Sequence, residues 1–181
     1  MESSTSTLRF NIPTLLTLSR VFLIPVFIIT APGNPLLGAM IFALASITDF
    51  LDGYLARRSG EVTTFGIIFD PIADKFLVIS ALILLVDMAR LSVWIATIII
   101  IREFLVTALR VVALSKNIVI PAEMGGKLKT ASQITSIICL VLGGEMLGID
   151  LYDVGTVFIW IALVLSILSG VKYTVSFWKR L

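Results

Sequence analysis

The chain has 181 residues, of which 58% are hydrophobic and 14% charged, with a formal net charge of +2. Soluble domains of this length show a more heavily charged surface, so a mean hydropathy of +1.07 excludes an ordinary water-soluble globule. The small net charge does not suggest a nucleic-acid partner, and no Lys/Arg-rich run supports one, so none is expected.

The opening residues, MESSTSTLRF, are polar and carry Glu2 where a secretory signal would carry a basic region. They are expected to be retained as a short interfacial segment on the membrane surface. Six apolar runs follow, each near the roughly 20 residues a helix needs to cross a bilayer. The expected spans are Ile12–Thr30, Leu36–Arg57, Gly66–Val86, Leu91–Leu114, Thr130–Leu147 and Val154–Trp178. APGNP, RRSGEVTT, SKNIVIPAEMGGK and GIDLYDVG punctuate them. No run alternates with period two, and an open sheet cannot sit in lipid, so strands are set aside. The expected fold is all-α integral membrane, with six transmembrane helices in a single domain over residues 1–181.

Orientation follows from the loop cations. Arg9, Arg57, Arg58, Lys116, Lys127, Lys129, Lys179 and Arg180 fall on one side and only Arg90 on the other. The first side is expected to be cytoplasmic, with both termini there, in the cell membrane. Trp94 and Trp178 stand near span ends as interfacial anchors, whereas Trp160 reads as packing. Cys139, the one cysteine, reads as a small core residue and cannot form an intrachain disulfide. With no histidine, acid–base work falls to Asp, Glu, Lys, Tyr or water.

Aspartates inside apolar segments are costly. Asp49 and Asp52 are three apart on the second helix, and Asp70 and Asp74 are four apart on the third. Each spacing puts its pair on one helical face. The second helix leaves the membrane near Arg57 and the third re-enters near Gly66, so the two faces can meet at similar depth. Four converging carboxylates repel, so either some stay protonated or a divalent cation sits among them. An all-oxygen cluster suits Mg²⁺ or Mn²⁺ rather than zinc. Taken singly, each Asp also reads as a solvated or Arg-paired end residue. Gly53 and Ala56 read as helix-packing residues that leave room for a ligand, and Arg57 either snorkels or holds a phosphate.

Asp49 to Asp74 reads D-x-x-D-G-x-x-A-R, eight residues, then G-x-x-x-D-x-x-x-D. This resembles the signature of the CDP-alcohol phosphatidyltransferases, six-helix membrane enzymes that are usually homodimers with a cytoplasm-facing site. The resemblance implies two divalent cations on Asp49, Asp52, Asp70 and Asp74. It implies a CDP-lipid site using Asp52, Gly53, Ala56, Arg57, Gly66 and Asp70, and Asp74 as general base.

Further cations lie at Arg20, Arg102, Arg110, Lys127 and Lys129. Taken singly, Lys127 and Arg110 read as snorkelling and Arg102 as a local partner of Glu103 or an Asp. Together they suit an acceptor that carries its own phosphate. NIPTLLTLSR, IREFLVTALR and GGKLKTASQ look like segments of phosphatidylglycerophosphate synthases. That likeness implies CDP-diacylglycerol as donor, glycerol 3-phosphate as acceptor and these five cations as phosphate ligands. Thr14 and Ile67 depart from the pattern, where Asn and a basic residue are common. The alternatives are another acceptor such as inositol phosphate, or a cation or proton transporter. Against the transporter, the four aspartates occupy one hairpin, and no matching set appears in Leu91–Leu181.

Overall fold

The computed structural model describes residues 12–59, 64–116, 124–146 and 148–179. Within them, the side chains of residues 12–18, 20, 49–59, 64–74, 114, 124 and 125 lie outside the description. The described chain is all-α apart from one small hairpin. Its helices are α1 (Ile12–Thr30), α2 (Pro35–Ser59), α3 (Thr64–Asp87), α4 (Val93–Ser115), α5 (Met124–Leu142) and α6 (Leu151–Trp178). Strands β1 (Glu145–Met146) and β2 (Ile149–Asp150) pair antiparallel between α5 and α6.

Three short connections gather at one end of the bundle, and local chemistry dictates each. Between α1 and α2, Asn34 Oδ1 accepts from Leu37 N at 3.1 Å, and Pro35 opens the helix where its missing N–H costs nothing. After α3, the chain turns through Ala89 with φ 55°, and Arg90 N donates back to Leu85 O at 2.8 Å. After α5, Gly143 and Gly144 take φ of 56° and 74°, a left-handed conformation that ends the helix. The β1–β2 hairpin then returns the chain to Asp150, whose side chain accepts from Tyr152 N at 2.8 Å and caps α6.

Those glycines correct the fifth expected span. Thr130–Leu147 lies too late, because α5 starts at Met124 and stops at Leu142. The expectation of no strands is corrected too, although the hairpin is confined to this turn. α6 also begins earlier than expected, at Leu151.

Arg90 secures this end. Its Nη1 donates to Leu140 O at 2.9 Å and Val141 O at 2.6 Å, two carbonyls that α5 leaves open at its C-terminus. Beneath lies the main core, with Phe27, Phe42, Leu82, Leu85, Leu140 and Ile159 buried. The rings of Phe27 and Phe42 are 5.6 Å apart and tilted by 44°.

α5 and α6 form the most extensive helix pair, α1 packs on α2 and α3, and α5 also touches both α2 and α3. The α5–α6 approach depends on Gly155, where an added Cβ would come within 2.7 Å of Leu140 Cγ. Ser136 Oγ donates across the same contact to Gly155 O at 2.6 Å.

Large apolar side chains such as Phe22, Ile29, Leu44, Ile83 and Phe104 face outward. Trp94 and Trp178 are exposed near helix ends, as expected of anchors. Trp160, expected to be packing, is half exposed on the outer face of α6. Among the described residues, α6 is the helix long and apolar enough to cross a membrane on those criteria alone.

Candidate functional site

α2 carries Asp49, Asp52, Gly53, Ala56 and Arg57, and α3 carries Gly66, Asp70 and Asp74. Their side chains lie outside the described residues, as does that of Arg20 on α1. The helix backbone gives their register. Counted from the short-turn end, Asp49 and Asp74 each lie about four helical turns in, and Asp52 and Asp70 about five. α2 and α3 touch.

Near that depth, the described side chains form a charged cluster between α4, α5 and α6. Glu103, with a side chain 13% exposed, sits at its centre. Its Oε1 accepts from Arg102 Nη1 at 3.0 Å and from Lys129 Nζ. Arg102 is pinned on two further sides: Nε donates to Ser166 O at 2.8 Å and Nη2 to Ser169 Oγ at 2.5 Å. The guanidinium thereby ties α4 to α6, while Glu103 ties α4 to α5. Gly170 leaves room for the Arg102 stem, since a Cβ there would come within 3.4 Å of Arg102 Cγ.

Lys129 is 6% exposed, a depth at which a lone ammonium would be heavily penalised. The Glu103 carboxylate offsets that penalty. Lys75, which follows Asp74 on α3, lies within Coulombic range of both Glu103 and Lys129. Among the described residues, Arg102, Lys129 and the more distant Lys75 outnumber the Glu103 carboxylate, and such an excess of cations suits an anion.

The expected acceptor ligands therefore divide. Arg102 and Lys129 come together through Glu103. Arg110 and Lys127 are exposed and take no part in that cluster.

Two features were missed in the sequence. In sequence Glu103 reads only as a neighbour of Arg102, because its link to Lys129 crosses 26 positions. On α5, Lys129, Ser132, Gln133 and Ser136 are all buried. Their helical spacing was the available signal of a polar inner face.

Residues 10–168 match the model of the CDP-alcohol phosphatidyltransferase family. The chain is 37% identical to the CDP-diacylglycerol–glycerol-3-phosphate 3-phosphatidyltransferase of Bacillus subtilis strain 168, over 95% of this chain and 97% of that protein. It is 42% identical to the enzyme of the same name from Rickettsia typhi, over 90% of this chain and 94% of the relative. With that of Haemophilus influenzae it shares 38% identity, over 92% of each.

Proposed function

The chain belongs to the CDP-alcohol phosphatidyltransferase family, and from that premise we propose that it moves a phosphatidyl group from CDP-diacylglycerol to glycerol 3-phosphate, giving phosphatidylglycerol phosphate and CMP. One observation carries this above all. Relatives whose names specify that donor and acceptor match nine-tenths or more of this chain and of their own length.

In the reaction, a hydroxyl oxygen of glycerol 3-phosphate attacks the phosphorus that bears the diacylglycerol. The bond from that phosphorus to the CMP oxygen breaks, and CMP leaves. Asp74 takes the proton of the attacking hydroxyl. Asp49, Asp52, Asp70 and Asp74 would hold two Mg²⁺ or Mn²⁺ ions as an all-oxygen donor set. The fit is supported by the contact of α2 with α3 and by the matching register of the acids. When bound, the cations neutralise the diphosphate and stabilise the charge that develops on departing CMP. Asp52, Gly53, Ala56, Arg57, Gly66 and Asp70 hold the CDP moiety.

Lys129 and Arg102, with Arg20, Arg110 and Lys127, supply positive charge for the acceptor phosphate. Arg102 gives its charge from a fixed position, because three of its five N–H donors are already engaged.

The six helices cross the cell membrane as one domain, with both termini and the site on the cytoplasmic side. The cation asymmetry supports this topology, since Arg90 stands at the short-turn end, opposite Lys116 and Lys179. The enzyme acts as a homodimer, as the family resemblance implies.

The test is CMP release by purified protein given CDP-diacylglycerol, an acceptor panel and Mg²⁺ or Mn²⁺. Glycerol 3-phosphate is expected to give the highest kcat/KM, and a chelator to abolish release until metal is returned. Folded protein that releases no CMP with any acceptor or metal would refute the transferase function. A preference for inositol phosphate would refute the acceptor.

A further inference from the structure

We propose that Gln133 is a specificity-determining residue, donating its amide Nε2–H to a hydroxyl oxygen of the acceptor. This rests on the acceptor chemistry proposed above and adds a contact to it.

Gln133 is 3% exposed, yet its Nε2 has no hydrogen-bond partner. A buried amide donor left unpaired destabilises the fold that contains it, and an apolar side chain of similar size would avoid that cost. Its placement gives a reason to keep it. Gln133 follows Lys129 by one turn, so the two share a face of α5. Lys129 is held in place by Glu103, and Glu103 is braced through Arg102 against α6. An anionic group at Lys129, as proposed above for the acceptor phosphate, anchors one end of the acceptor.

A three-carbon alcohol phosphate is comparable in length with one helical turn, about 5.4 Å. With its phosphate at Lys129, its hydroxyl end therefore falls at the level of Gln133, deeper in the bundle. An unpaired amide at that level rejects an analogue that lacks the hydroxyl, because the donor then stays buried and unpaired.

The experiment compares wild type, Gln133→Leu and Gln133→Met in detergent-purified full-length protein. The acceptors are glycerol 3-phosphate and 3-hydroxypropyl phosphate, which lacks the secondary hydroxyl. Inorganic phosphate serves as competitive inhibitor.

Wild type is expected to favour glycerol 3-phosphate. Both variants are expected to raise KM for it on the order of tenfold or more and to lose most of the preference. The KM for CDP-diacylglycerol and the inhibition constant for inorganic phosphate stay unchanged. Thermal midpoints hold or rise, since an unpaired donor has been removed.

An active variant with unchanged selectivity would overturn the inference. So would a phosphate inhibition constant that weakens in step with KM, because the amide would then serve the phosphate. Loss of folding in both variants would overturn it as well, by showing that the amide is structural. Wild type that turns over neither acceptor would instead sink the proposed acceptor, and this contact with it.

Discussion

At the short-turn end, Arg90 spans to the last carbonyls of α5 above a core of Phe27, Phe42, Leu85 and Leu140. About three turns further in, Arg102, Glu103 and Lys129 meet beside buried Ser132, Gln133 and Ser166. Each region uses an arginine as a strut. At the first, the guanidinium closes backbone groups that any helix end leaves open. At the second, it braces a carboxylate that in turn holds a lysine, and cations outnumber that carboxylate among the described residues. A stable bundle requires chemistry of the first kind. It does not require the second, since apolar residues of similar volume would pack there at no electrostatic cost. Charge kept where packing does not need it points to a ligand.

The largest test of this contrast lies in the half that carries the four aspartates. Asp74→Asn is expected to reduce turnover on the order of a hundredfold or more, with CDP-lipid binding largely retained and the thermal midpoint little changed. CMP release and equilibrium binding of labelled CDP-diacylglycerol read the two effects. Full activity in the variant would remove Asp74 as base.

Next comes Glu103→Gln, which leaves Lys129 and Arg102 facing a neutral amide. Breaking a buried pair costs about 3 kcal/mol or more, so the thermal midpoint falls. KM for the acceptor rises more than kcat falls, because Lys129 loses its fixed position. A double-mutant cycle with Lys129→Met measures the coupling. A KM that drops instead would show Glu103 acting mainly by repelling the acceptor phosphate.

Arg90→Met probes the opposite end. It removes two charge-assisted bonds to carbonyls, which costs about 2 kcal/mol. Stability in detergent falls, while KM for both substrates stays within experimental scatter. A selective acceptor defect would show that the two ends are coupled.

How far each half could be read from sequence follows the same division. Apolar runs set α1, α2, α3, α4 and α6 to within a few residues, because hydropathy and Pro/Gly punctuation report directly on long apolar helices. Hydropathy places α5 too late, because its first turns, MGGKLKT, look like loop. They are helical, and Lys129 there is buried against Glu103. The reason lies on another helix, where a local pattern cannot show it. The four-residue pairing of β1 with β2 is too short to leave a periodic signature. The aspartate motif stands out in sequence because its spacing is local to two helices, and its side chains lie outside the described residues. Gln133 was not legible, because a glutamine in sequence does not reveal that its amide will be buried without a partner.

The smallest expected effect is also at the short-turn end, and it is a gain. Ala89 holds φ 55°, a left-handed backbone that costs an L-residue about 1 kcal/mol. The turn enforces it: Ala89 N bonds to Val86 O at 3.0 Å, and the N–H groups of Arg90 and Leu91 both reach Leu85 O. Ala89→Gly relieves that strain but adds backbone freedom to the unfolded chain, which offsets roughly half or more of the benefit. The thermal midpoint is therefore expected to rise by about 2 °C or less, with turnover and both KM values unchanged. Because the substitution touches neither charge nor packing, any shift in acceptor KM would mean that the turn sets the register of α4, and with it the position of Glu103. The short-turn end would then tune the site as well as close the bundle.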